Sequence, residues 1–177
     1  VERALDVPDT GLAEAVVLAS GNKDEEPLLS AVMSATGYDR AQAVGLVSSY
    51  DDTGEREVEV LRLTEPVNVV RYSPPDAQVG RWFAPSTGSA PLTPTQARRS
   101  FALPNSNTAE LVALFSLRRG TEVVRGICAD MTDDPVFGSY ATGGGEQYFV
   151  PKATLYPPAR WNPDVTVPVS MLRFPEG

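Results

Sequence analysis

The apolar residues of this 177-residue chain change their spacing near Glu55, and that change constrains the fold more than any other feature. Before it they recur at helical intervals, and after it they alternate. The upstream spacing predicts three helices. Leu12 to Ala19 is the first, with Asp9 and Thr10 as capping candidates. Glu25 to Ala35 is the second, with Pro27 in its first turn and Gly37 at its end. Arg40 to Ser49 is the third, capped by Asp39.

Downstream, Val58, Val60, Leu61 and Leu63 lie among Glu57, Glu59 and Arg62, a strand that follows the Asp51-Asp52-Thr53-Gly54 turn. Val67, Val69 and Val70 begin a second strand that runs into Arg71-Tyr72 and stops at Ser73-Pro74-Pro75-Asp76. Arg81-Trp82-Phe83-Ala84 is a short aromatic strand between Gly80 and Pro85, and a helix over Leu92 to Phe101 starts near Thr93-Pro94. Leu111 to Leu117 and Thr121 to Ala129 read as consecutive strands with Arg118-Arg119-Gly120 as a hairpin tip. Gln147 to Val150 is a strand entered through Gly143-Gly144-Gly145, and the five prolines from Pro157 onward predict an extended wrap. The fold class expected is α+β, a helical N-terminal third followed by a small antiparallel β core. Three segments are expected: 1–65, helices and first strand; 66–156, the core; 157–177, a Pro-rich tail.

Composition narrows the chemistry. The chain has no histidine, which removes Ser-His-Asp triads, Cys-His pairs and histidine-ligated zinc. One cysteine, Cys128, excludes an internal disulfide and a cysteine-based zinc cluster. A net charge of −8 disfavours a general nucleic-acid binder, whose affinity rests on phosphate neutralisation. Ala15 to Ala19 is too short an apolar run to cross a bilayer. A start at Val1 without a signal peptide fits a segment of a longer polypeptide.

Several residues stand where they could act on a ligand. Arg71 ends a valine strand before a sharp turn, so a rigid element could present its fork to a phosphate. Alternation puts Trp82 and Phe83 on opposite faces, one free to stack on a ring and the other to fill the core. Adjacent Arg98 and Arg99 cannot share a helix face, so at most one reaches the site of Arg71. Gly143-Gly144-Gly145 allows close backbone approach, and Glu146-Gln147-Tyr148 then opens an apolar strand. Asp130, Asp133 and Asp134 lack the glycine and terminal Glu of a calcium loop and read as solvated; no metal site is expected.

In that order, Arg71 at a strand end, Gly80 to Pro85 with its aromatic pair, Ala97-Arg98 before Leu103-Pro104, and the glycine loop into Gln147-Tyr148 resemble the tuberculosis-necrotizing-toxin (TNT) family of NAD+ glycohydrolases, related to the ADP-ribosyltransferase fold. The similarity spans about Val67 to Pro151. It implies a toxin-type enzyme that cleaves NAD+, its substrate and not a cofactor, to nicotinamide and ADP-ribose. It implies delivery into a target cell's cytosol and a cognate immunity protein as partner. By the same resemblance Arg71 contacts the dinucleotide phosphates, Phe83 or Trp82 packs at the nicotinamide end, Arg98 or Arg99 supplies a second cation, and Gln147 is catalytic. Tyr148 follows it, and Tyr148 and Gly145 are expected to bind the substrate. A one-residue shift would give the catalytic place to Glu146 and make the chain an ADP-ribosyltransferase. A non-enzymatic interaction domain is the alternative of a different class, and a metal-independent nuclease toxin comes behind both.

Overall fold

The computed structural model describes residues 15–53, 56–85 and 91–174. Its elements in chain order are β1 (Ala15–Gly21), α1 (Glu26–Thr36), α2 (Arg40–Val47), β2 (Tyr50–Asp51), β3 (Val58–Leu63), β4 (Val67–Ser73), β5 (Trp82–Pro85), α3 (Pro94–Ser100), β6 (Leu111–Leu117), β7 (Glu122–Cys128), β8 (Glu146–Phe149) and β9 (Thr166–Arg173). The class is α+β, as expected, with a nine-stranded sheet whose described pairings are antiparallel.

The helices form where local chemistry closes both ends. α1 begins with a proline in its first turn and ends at Gly37, whose φ of 75° lets its N–H reach the Met33 carbonyl. α2 and α3 each open on a reciprocal capping box. Asp39 accepts from the Gln42 N–H while Gln42 accepts from the Asp39 N–H, and Thr93 and Gln96 repeat the exchange.

The strand order is β1-β3-β7-β8-β5-β4-β6-β9, with β2 added on β7. Short β5 is the joint. Its first two residues pair with β8 (Trp82 with Phe149, Phe83 with Tyr148), and its last two pair with β4 (Ala84 with Val70, Pro85 with Val69). Side chains from both halves meet in one apolar cluster. It includes Leu61 and Leu63 of β3, Val69 of β4, Phe83, Phe115 of β6, Val123 of β7 and Tyr148 of β8. The opposite face of β3, β7 and β8 is covered by α1 and α2 through Leu28, Leu29, Val32 and Leu46. That of β4 and β6 packs under α3 and its following loop through Ala97 and Leu103. Strands from residues 1–65 (β1, β2, β3) and from the tail (β9) are hydrogen-bonded into the same sheet as those of 66–156.

Three sequence expectations are corrected. Residues 15–19 of the predicted first helix form β1 instead, and 12–14 lie outside the described residues. Val16, Val17 and Leu18 are exposed, so this run buries no helical face; it is ordered by pairing its backbone along β3. Arg118-Arg119-Gly120 is not a hairpin tip, because both edges of β6 are taken by β4 and β9. The connection instead crosses to the other half, where the Leu63 carbonyl accepts from the Gly120 N–H and the Leu63 N–H donates to the Thr121 carbonyl. The tail expected as an extended wrap is a paired strand over Thr166–Arg173. It is the edge strand β9, with Pro168 opposite Phe115 at a register shift, where its missing N–H breaks no regular ladder.

Replacing Asp39 with Ala removes the α2 cap and is expected to cost about 1 kcal/mol, lowering Tm by about 2–4 °C. A thermal melt with an unchanged midpoint would show that the box does not hold this helix.

Candidate active site

Beyond the pair Val70–Ala84, the β4–β5 register would next set Arg71 opposite Phe83 and Tyr72 opposite Trp82, but pairing stops there. The Arg71 guanidinium fills the gap. Nε donates to the Gln78 carbonyl (2.9 Å), Nη1 to that of Trp82 (3.2 Å) and Nη2 to that of Ala77 (3.1 Å). Three of an arginine's five N–H groups are thereby used, leaving one on each terminal nitrogen. No carboxylate among the described residues lies within ion-pair distance of this half-buried cation. Withdrawal from water lowers its pKa to about 10, so it stays charged at neutral pH.

Arg71, Trp82, Phe83 and Gln147 line one cavity of about 300 Å³, a size at the lower end for ligand sites. Its remaining walls include Ser49, Tyr72, Phe101 to Pro104, Asn107, Met131 and Phe137. Among the described residues, Arg71 is the one formally charged residue in that lining, a cation within a chain of net charge −8.

Alternation along β8 sorts the neighbouring candidates. Gln147, 8% exposed, lines the cavity, and its Oε1 accepts from the Cys128 thiol at 2.8 Å. Glu146 and Tyr148 take the other face. Glu146 is ion-paired with Nε of Arg125, whose Nη1 also lies 3.6 Å from Glu59. Tyr148 is buried in the inter-sheet core, where burial and then the Glu146 charge push its hydroxyl pKa well up. The aromatics of β5 divide likewise. The Phe83 ring, 1% exposed, packs on Phe115 and Trp161 in that core, while Trp82 meets Tyr50 at a tilt and Phe149 edge-on, on the cavity side.

The other candidates lie outside the cavity lining. Arg98 rests over the Tyr140 ring, 4.2 Å from its centroid, with its Nε buried and unbonded. Arg99 is exposed, and its carbonyl accepts from Gly143. The glycine loop makes its close approaches to protein. Gly143 has φ +74° and would push a Cβ to 2.5 Å from the Cys128 carbonyl oxygen. A Cβ on Gly145 would meet the Phe101 ring and the Ser100 carbonyl at 2.8 Å. The loop is thereby clamped between the end of α3 and the end of β7.

Phe101, Asn107, Met131, Phe137 and Cys128 escaped the sequence reading. They come from loops and strand ends, where no periodicity marks a ligand-facing position. Only the odd cysteine beside a candidate strand was a usable signal.

Gly80 is open to a direct test. A Cβ there would lie 2.3 Å from Arg71 Nη2, and three carbonyls keep the guanidinium from yielding. Gly80→Ala is expected to cost about 2 kcal/mol, with Tm falling by about 4–8 °C. A urea transition with the same midpoint as the native chain would show that the guanidinium does not hold this loop.

No family model matches the chain, and no curated protein matches it. Among solved structures it is similar to a chain of the complex of Tse6 with Tsi6, at 18% identity and a TM-score of 0.42, over 71% of this chain and 91% of that one.

Proposed function

We propose that this chain is an NAD+ glycohydrolase domain of the toxin type, hydrolysing the nicotinamide–ribose bond to nicotinamide and ADP-ribose. The observation that carries the reading is the cavity that unites Arg71, a cation with no carboxylate partner among the described residues, with an aromatic wall at Trp82 and the amide of Gln147. A guanidinium lacking a carboxylate partner is suited to an anionic ligand, and the dinucleotide pyrophosphate is one. Trp82, Phe101 and Phe137 give the nicotinamide ring an apolar seat. An ADP-ribosyltransferase-like fold belongs to the same reading.

The chemistry asks little of acids and bases. The pyridinium ring is already cationic, so the electrons of the breaking C–N bond pass to its nitrogen and it leaves neutral without a proton donor. Positive charge moves onto the ribose, water adds to it, and the water's extra proton goes to solvent. Arg71 holds the remote phosphates, spending binding energy away from the reacting bond to fix the ribose. Gln147 hydrogen-bonds a ribose hydroxyl or the attacking water. An amide cannot be the base that activates an acceptor, and Glu146 is turned to the opposite face on Arg125; both favour hydrolysis over transfer. Such an activity would deplete the producer's own NAD+, so the reading includes a cognate immunity protein and a target cell's cytosol as the place of action.

The test is NAD+ consumption by the purified chain without acceptor. Equimolar nicotinamide and free ADP-ribose are expected, falling about 100-fold or more in Gln147→Ala. ADP-ribose on macromolecules only after lysate is added would select the transferase instead, and no turnover in either case would select the interaction domain. The pH profile is a separate check. The charged group of the lining is Arg71, with a pKa near 10, so the rate should stay flat from about pH 6 to 9 and decline as pH rises through about 10 and the guanidinium loses its proton. A rate that halves below about pH 7 would require an acid or base outside this set.

A further inference from the structure

Gln147 stands opposite Gly126 in the β7–β8 ladder, and Gly126 offers it no side chain. A Cβ on Gly126 would strike the Tyr50 ring at 2.6 Å, so that place stays empty. The residue that reaches Gln147 is the diagonal neighbour two positions on, Cys128, within the range over which cross-strand side chains meet. Its Sγ lies 2.8 Å from Gln147 Oε1, and both residues are buried.

The thiol cannot drift from this contact, because its backbone is fixed on both sides. The Cys128 N–H donates to the Gly145 carbonyl and the Cys128 carbonyl accepts from the Gly144 N–H. Burial pushes the thiol pKa up to about 12, so sulfur keeps its proton and remains a donor. A donor at that point selects the amide's oxygen. The NH2 group is then the end that Gln147 has for the cavity.

We propose that Cys128 is a positioning residue: its thiol holds the carbonyl of the Gln147 amide so that the NH2 group is presented to the ligand. The kinetic part of this proposal rests on the cavity being the NAD+ site, and the geometric part does not. The ligand group it fits is an oxygen acceptor, a ribose hydroxyl or the oxygen of the attacking water. An amide free to rotate would present either end and lose that preference.

The experiment compares Cys128→Ser, which keeps a donor, with Cys128→Val and Cys128→Ala, which do not. The Gln147 side-chain NH2 signals, assigned by their absence in Gln147→Ala, are followed for proton exchange with water. Exchange about twofold or more slower in Val and Ala, whose freed amide turns its NH2 out of the cavity part of the time, with a native rate in Ser, is expected. With NAD+, kcat should fall about fivefold in the donor-free pair with KM within about twofold, and Ser should keep at least about half of kcat. Two donor-free variants of different size ensure that one misfolded protein does not decide the result. Native-like amide exchange in Val or Ala overturns the proposal. So does an equal loss in Ser, which would assign the effect to packing. If the native chain leaves NAD+ intact, the proposed function falls, while the amide exchange still decides whether Cys128 orients Gln147.

Discussion

The site depends on a guanidinium used as a piece of backbone. β4 and β5 part after Val70–Ala84, and an open seam would leave the carbonyls of Ala77, Gln78 and Trp82 without donors. Arg71 supplies all three from one rigid fork. A lysine has the charge but not the planar reach, and a glutamine has too few N–H groups. The seam then holds its shape at the point where the two halves of the sheet are joined by only four residues of β5. Gly80 is part of the same arrangement, since any side chain there would occupy the guanidinium's place.

The second ordering principle is strand parity. Three consecutive residues of β8 have three fates: Glu146 in an ion pair with Arg125, Gln147 on the cavity, Tyr148 in the inter-sheet core. A slip of one residue would exchange them. The clamped glycine loop prevents the slip. Gly143 and Gly145 bond the carbonyls of Arg99 and Ser100, while Gly144 and Gly145 bond the backbone of Cys128. The positive φ of Gly143, with no room for a Cβ, makes this closure a property of glycine. The triplet therefore shapes the cavity indirectly, by fixing which face of β8 the amide takes.

What the sequence made legible follows from how local each signal is. Asp39 before α2, Thr93-Pro94 at the start of α3 and Gly37 after α1 are local signals, and the helices start or stop beside them. The valines of β3 and β4 alternate as strands must. By contrast, Ala15 to Ala19 is a short apolar run compatible with helix or strand, and only the free edge of β3 decides it. The Arg118-Arg119-Gly120 turn is short enough for a hairpin, yet the partners of β6 are β4 and β9, with Ser73 paired to Leu111 and Thr166 to Leu117. For the cavity, Arg71 and Gln147 stand on strands whose parity the sequence shows, and both line it. Alternation alone does not choose between Phe83 and Trp82; the core that Phe83 shares with Phe115 and Trp161 does. Arg98 or Arg99 follows from the resemblance and Gly145 from the freedom of a glycine run, and neither says which way a helix end or a loop faces.

Arg71 serves the fold and the cavity at once, and the two duties are coupled. Its structural bonds consume three N–H groups and leave two, so an anion in the cavity would complete the set without displacing a loop carbonyl. A guanidinium already fixed in place loses little further side-chain entropy on binding, which favours affinity. The same bonds leave the positive charge itself uncompensated, since carbonyl dipoles solvate a cation without neutralising it. Folding must bear the cost of withdrawing that charge from water, and the depression of its pKa to about 10 expresses that cost. A ligand carrying negative charge removes it. Binding and the order of the 77–82 loop are then linked through one side chain, and whatever anion fits the cavity stabilises the seam at which the sheet divides.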